Sequence, residues 1–142
     1  MKIYVDASFL VSLYSPDANS SAAARTMQAS SGDRFITHLG ELEVINALGL
    51  RVFREEVTQT QAQSSLSDFE KDLLTGIFQL RDLTEPMFER ARQLSRQTTA
   101  KFGTRTVDLL HIAAAVELNV DHLYSFDQHQ RKLAQTLGLK LN

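Results

Sequence analysis

Four acids in this sequence occupy positions where acids do chemistry rather than solvate a surface: Asp6, Glu43, Asp108 and Asp127. Asp6 directly follows the apolar run Ile3-Tyr4-Val5, and Asp127 stands two residues beyond Ser125, the end of another short strand-like stretch. Glu43 and Asp108 each lie in the early turns of a helical pattern. Like charges brought together repel, and buried carboxylates need a cation or a proton. A hard divalent cation suits an all-oxygen set, because Mg2+ and Mn2+ take carboxylate and water oxygens. Such an ion can activate water or hold the oxygens of a phosphate during an in-line displacement. Ser8, Thr37 and Ser125 fall beside the acids, where they can orient carboxylates or water, or act as ordinary capping and turn hydroxyls.

Each acid also has a plainer role open to it. Asp108 can complement a helix dipole, worth about 0.3–1 kcal/mol. Asp127 can cap the helix that begins at Gln128, and Glu43 can pair with an arginine.

The elements that must position these side chains alternate along the chain. Lys2–Asp6 reads as a buried strand and Phe9–Tyr14 as the first turns of a helix, broken by Ser15-Pro16-Asp17. A second helix runs from Ala22 to about Gln28, and Arg34–Thr37 forms a second strand. Helical spacing of Val44, Ala47, Leu48 and Val52 gives a helix over about Leu39–Glu56. Thr58 is placed to cap the next helix, which ends before Gly76, and Ile77–Leu80 forms a third strand. Pro86 sits at a helix start, with helix to about Gln97; Val107–Leu118 is a strongly apolar helix. His122–Ser125 is a fourth strand, Gln128–Leu137 a helix and Leu139–Leu141 a short edge strand.

This alternation predicts one domain over residues 1–142, a three-layer α/β/α sandwich around a central, mainly parallel sheet of four or five strands. In such sheets ligands bind at the carboxyl ends of the strands. Asp6, Glu43, Asp108 and Asp127 all fall at that rim. Glu41, two residues before Glu43, is about 200° away around a helix, so only one of the two can face the site.

Composition narrows the chemistry. With 142 residues, 43% of them apolar, the chain can bury a core without staples, and its zero cysteines exclude disulfides, thiolate zinc sites and cysteine nucleophiles. A formal charge of −2 excludes a generic polyanion binder. No apolar run approaches the roughly 18 residues of a membrane span, and the start lacks the pattern of a signal peptide. The cytoplasm is the expected compartment.

Charge is unevenly placed, however. Arg90, Arg92, Arg96, Lys101 and Arg105 lie in one stretch opposed in sequence by Glu89 alone, immediately before Asp108. A phosphate backbone needs such a surface beside a metal site, although a solvated helix face explains any one of these residues. Arg51, Arg54, Arg131 and Lys132 are further candidates. The four histidines lack zinc-site spacing, and His111 reads as a packed, hydrogen-bonded core residue able to contact Asp108.

The segments Lys2-Ile3-Tyr4-Val5-Asp6-Ala7-Ser8, Glu43-Val44-Ile45-Asn46-Ala47-Leu48, Arg105 through Ala115, and Tyr124-Ser125-Phe126-Asp127-Gln128 occur in this order. With them the chain resembles PIN-domain ribonucleases of the VapC-like toxin type along essentially its whole length. The resemblance implies an endoribonuclease dependent on Mg2+ or Mn2+, a homodimer, and neutralisation by a cognate antitoxin. It carries the family's acidic residues onto Asp6, Glu43, Asp108 and Asp127, with a metal-activated water attacking the RNA phosphodiester to leave 5′-phosphate and 3′-hydroxyl ends. Gln128 stands where some members have a further acid, which reduces the ligands for a second ion. Two other readings share the same rim: a catalytically inactive PIN-like binding module and a small metal-dependent phosphatase.

Overall fold

Alternation in the first strand builds two cores at once. Side chains of a strand point to opposite faces, so β1 (Lys2–Val5) sends Ile3 and Val5 into one apolar cluster and Tyr4 into another, all three fully buried. A computed structural model describes residues 1–142. Its five strands lie in the order β3-β2-β1-β4-β5 and every neighbouring pair is parallel. The other strands are β2 (Asp33–Thr37), β3 (Gln79–Arg81), β4 (His122–Tyr124) and β5 (Lys140–Leu141). Register pairs Tyr4 with Phe35 on one side and Leu123 on the other.

One face carries α1 (Ala7–Tyr14), α2 (Ser20–Ala29), α3 (His38–Phe53) and α4 (Gln59–Leu74), packed on Ile3, Val5 and Ile36. The opposite face packs Tyr4, Phe35 and Leu123 against α5 (Glu85–Leu94), α7 (Thr106–Glu117) and α8 (Gln128–Thr136). Between α5 and α7 a π turn (Ser95–Thr99) leads into the short α6 (Ala100–Phe102). The expected three-layer α/β/α sandwich is present, with five strands that are parallel throughout.

Local chemistry explains where boundaries move. Asp6 caps α1 rather than ending the strand, so that helix begins at Ala7 instead of Phe9. The expected third strand at Ile77 starts two residues late. The Ile77 N–H still bonds Asp72 O at 3.0 Å, and Gly76 adopts φ +80°, so this segment completes the C-terminus of α4 before the chain extends. Thr58 caps α4 as its type predicts, in a reciprocal box with Gln61. Beyond α5 the helical path continues past Gln97 to Phe102, where Gly103 at φ +65° ends it.

Candidate active site

Because the strands are parallel, their carboxyl ends share one edge, and the helices that follow them start there. The Asp6 N–H bonds Tyr124 O at 3.1 Å, which sets the first residue past β1 beside the end of β4. Its carboxylate is fully buried. Oδ1 accepts the Phe9 N–H at 2.9 Å and the Ser8 hydroxyl at 2.7 Å, while Oδ2 accepts the Ser125 hydroxyl at 2.5 Å. Burial pushes the Asp6 carboxyl above the ordinary carboxylate range, against these three donors, which favour its ionised form.

The two serines also tie Asp6 to the loop after β4. Ser8 Oγ accepts the Phe126 N–H at 2.9 Å, and Ser125 Oγ accepts the Asp127 N–H at 3.0 Å. Asn142 Oδ1 in turn accepts the Ser125 N–H at 2.8 Å and an Arg131 N–H at 3.0 Å. Ser8 and Ser125 thus both donate to the first carboxylate. Thr37 does not touch an acid. Its hydroxyl caps α3 through Gly40 N at 3.2 Å and lies 3.2 Å from Tyr4 Oη.

Asp127 takes the capping role open to it, accepting the Gln130 N–H at 2.9 Å at the head of α8. Asp108 lies in the first turn of α7 and is buried. Its Oδ1 accepts from Gln130 Nε2 at 3.1 Å, whereas Oδ2 is buried without a hydrogen-bond donor, with Arg105 Nε 3.6 Å away. Glu43 meets no arginine. Its Oε1 contacts His111 Nε2, and His111 Nδ1 lies 2.7 Å from Tyr4 Oη. The packed histidine expected at 111 is therefore present, but its acidic partner is Glu43 rather than Asp108.

Two depressions meet at Glu43. One, of about 490 Å³, is lined by Ser8, Glu43 and Asp127 and extends to Arg51 and Arg54. The other, of about 460 Å³, is lined by Glu43, Asp108 and Arg105. Glu41 faces elsewhere, near Leu73 and Leu80, and pairs with His38 at 3.7 Å.

The donor set fits a hard cation. Asp6 is a buried acid with only neutral donors around it, and Asp108 presents a buried oxygen that no donor satisfies. No three of the acids or histidines converge as ligands of one ion. An ion here would be held by one or two carboxylates, a number Mg2+ commonly uses, and not by a cage of four acids.

The basic stretch needs correction. Arg90 is engaged by Glu117 at 2.8 Å, and Arg92 by Glu85 at 2.6 Å and Glu89 at 2.8 Å. Helix packing brings Glu117 of α7 to Arg90, and Arg92 is paired within α5 itself, so these two arginines are not free cations. Arg96 is exposed without an ion pair, Lys101 lies over the Phe102 ring at 5.3 Å, and Arg105 leans toward Asp108. Arg51 is held by Asp17 at 2.7 Å, and Arg131 by Ser125 O at 2.8 Å, while Arg54 is exposed and unpaired. Gln130, Tyr4 and Asn142 are the site residues sequence reasoning missed. Of these only Gln130 had a local signal, three residues after a capping aspartate.

The family model described as PIN domain matches residues 3–135. No curated protein is significantly similar in sequence. Among solved structures, VapC20 of Mycobacterium tuberculosis, described as a sarcin-ricin loop cleaving toxin, superposes with a TM-score of 0.72 at 18% identity, over 92% of this chain and 93% of that one. VapBC2 of Rickettsia felis, bound to a DNA fragment from its promoter, gives 0.67 at 17% identity over 100% and 98%. FitAcB of Neisseria gonorrhoeae gives 0.67 at 14% over 98% and 95%. At these identities the likeness is one of fold.

Proposed function

The chain belongs to the PIN-domain family, and on that premise we propose that it is a Mg2+- or Mn2+-dependent endoribonuclease, the toxin of a toxin–antitoxin pair. The observation that carries this reading is that Asp6, just past β1, is fully buried and that Asp108, in the first turn of α7, has a buried oxygen no donor satisfies. Asp6 and Asp108 would hold the ion, with Glu43 and Asp127 lining the groove beside it. A bound ion of this kind lowers the pKa of a coordinated water and stabilises charge on phosphate oxygens.

The chain's own residues do the rest. Ser8 and Ser125 fix both oxygens of Asp6, and Gln130 fixes one oxygen of Asp108. The serine hydroxyls already donate to Asp6, and His111 is buried at 1% exposure, so neither type is free to attack a phosphorus. Water is the proposed nucleophile, leaving 5′-phosphate and 3′-hydroxyl ends. Among the candidates, Arg96, Lys101 and Arg54 have no acidic partner and are the cations proposed to meet the RNA backbone, while Arg105 is shared with Asp108.

The antitoxin is proposed to dock on α3 and α4. Leu42 and Phe53 are 62% and 83% exposed, and Ile45, Val52 and Phe53 line an apolar groove with Ala62 and Leu66. A homodimer is proposed through α5 and α7, where Phe88, Ala91 and Leu110 form a second apolar depression. No helix is long and apolar enough to cross a membrane, and the cytoplasm is the proposed site of action.

The test is incubation of the purified, antitoxin-free chain with Mn2+ and a broad set of transcripts, with mapping of the cut ends. Internal cuts with 5′-phosphates are expected. Hydrolysis of a small phosphomonoester with RNA left whole would select a phosphatase instead, and a folded chain with no Mn2+ affinity would select an inactive binding module.

A further inference from the structure

We propose that His111 is a positioning residue that holds the Glu43 carboxylate at the groove through a one-way hydrogen-bond relay starting at the cap of α3. The inference rests on the reading of Glu43 as part of the hydrolytic site. The groups that reach Glu43, namely Thr37, Tyr4 and His111, lie outside the carboxylate pattern.

The polarity of the relay follows from what each atom can do. An ionised carboxylate only accepts, so the His111 Nε2 facing Glu43 Oε1 carries the hydrogen. In the neutral ring Nδ1 is then an acceptor, and the atom 2.7 Å from it is Tyr4 Oη, which must donate. Tyr4 is fully buried, and that burial raises its hydroxyl above the ordinary tyrosine range, so the proton stays in place to be donated. With its single hydrogen committed, Tyr4 Oη can only accept from Thr37 Oγ1 at 3.2 Å. Thr37 Oγ1 itself accepts the Gly40 N–H. Every hydrogen therefore points the same way, from Gly40 through Thr37, Tyr4 and His111 to Glu43.

The relay links α3 and α7 through the paired strands β1 and β2. Tyr4 comes from β1, Thr37 from the end of β2 where it caps α3, Glu43 from α3 and His111 from α7. His111 is 1% exposed and meets the Tyr4 ring edge-on at 5.8 Å, so its own orientation is fixed. Glu43, by contrast, is a partly exposed, flexible side chain between the two depressions. A fixed donor on Oε1 selects one rotamer and leaves Oε2 for the groove.

Two measurements on the full chain test this. Nitrogen-15 NMR of the metal-free protein at about pH 8, above the ordinary imidazole range, should show His111 as the Nε2–H tautomer. An Nδ1–H tautomer, or a ring protonated on both nitrogens, would reverse the relay and overturn the proposal. Transcript cleavage at saturating Mn2+ should then be slower by about 10–100-fold in His111→Leu, with His111→Gln, whose amide keeps a donor for Glu43, recovering most of it. A folded His111→Leu that cuts as fast as the unmodified chain would also overturn it. If that variant does not fold, the ring measurement on the unmodified chain still decides. Failure of the unmodified chain to cut RNA, with the Nε2–H tautomer observed, would count against the ribonuclease reading and leave the relay standing.

Discussion

Gln130 reaches from the first turn of α8 to Asp108 on α7, donating from Nε2 to Oδ1 at 3.1 Å. The same residue's backbone N–H is capped by Asp127 at 2.9 Å, so one glutamine registers two acids against each other. Replacing it by alanine leaves a buried acceptor unpaired, a cost of about 1–3 kcal/mol. Gln130→Ala should lower Tm by several degrees and weaken Mn2+ binding by about 10–100-fold. Unchanged Tm and Mn2+ affinity would mean that the amide does not hold Asp108.

Asp6 makes the opposite trade. Burial raises its pKa in the folded chain, so folding favours the protonated acid. That benefit is complete below the unfolded pKa, about 3.9 for aspartate, and is lost as pH rises through the folded value. Thermal melts of the metal-free chain should therefore show a loss of stability with rising pH that Asp6→Asn does not share. The asparagine keeps an acceptor for Phe9 and offers Ser125 a donor, so the variant should be at least as stable at neutral pH while cutting no RNA. A marked drop in its Tm at neutral pH would contradict this.

The basic residues should divide by whether they are already paired. Arg92→Ala should leave RNA affinity nearly unchanged, because Glu85 and Glu89 already neutralise it. The double replacement Arg96→Ala and Lys101→Ala should weaken binding to single-stranded RNA. It should also reduce the slope of log affinity against log salt by about 0.7 for each phosphate no longer neutralised. Equal effects from both variants would mean that pairing does not decide which cations meet RNA.

The exposed ring of Phe53 carries the antitoxin prediction. Phe53→Asp should abolish co-purification with the antitoxin, the loss of an anchor worth about 2 kcal/mol or more. Tm should hardly move, since the ring buries little in the free chain. Normal complex formation by this variant would shift the docking surface elsewhere.

Sequence was most informative where chemistry is local. Thr58 before Gln59 and Asp127 before Gln128 each announce a helix start, and both cap as their types require, whereas Asp6, read as the end of a strand, caps a helix as well. The alternation of short apolar runs with helical spacing was enough for the three-layer architecture. What stayed hidden lies far apart along the chain. Glu43 meets His111 across 68 residues and Tyr4 meets His111 across 107, so no periodicity could pair them. The charge of Arg90 also looked free until helix packing supplied Glu117, 27 residues on. The late start of β3 has a subtler cause, since the N–H of an apolar, β-branched Ile77 is taken by the closing turn of α4.

The most direct measurement strips the antitoxin-free chain with EDTA, returns Mn2+, and follows transcript cleavage in the unmodified protein beside Asp108→Asn. Cleavage should be absent after stripping, return with Mn2+ in the unmodified chain, and stay absent in Asp108→Asn although that variant is folded. Undiminished cutting in EDTA, or by Asp108→Asn with Mn2+ restored, would contradict a metal-dependent ribonuclease built on these carboxylates.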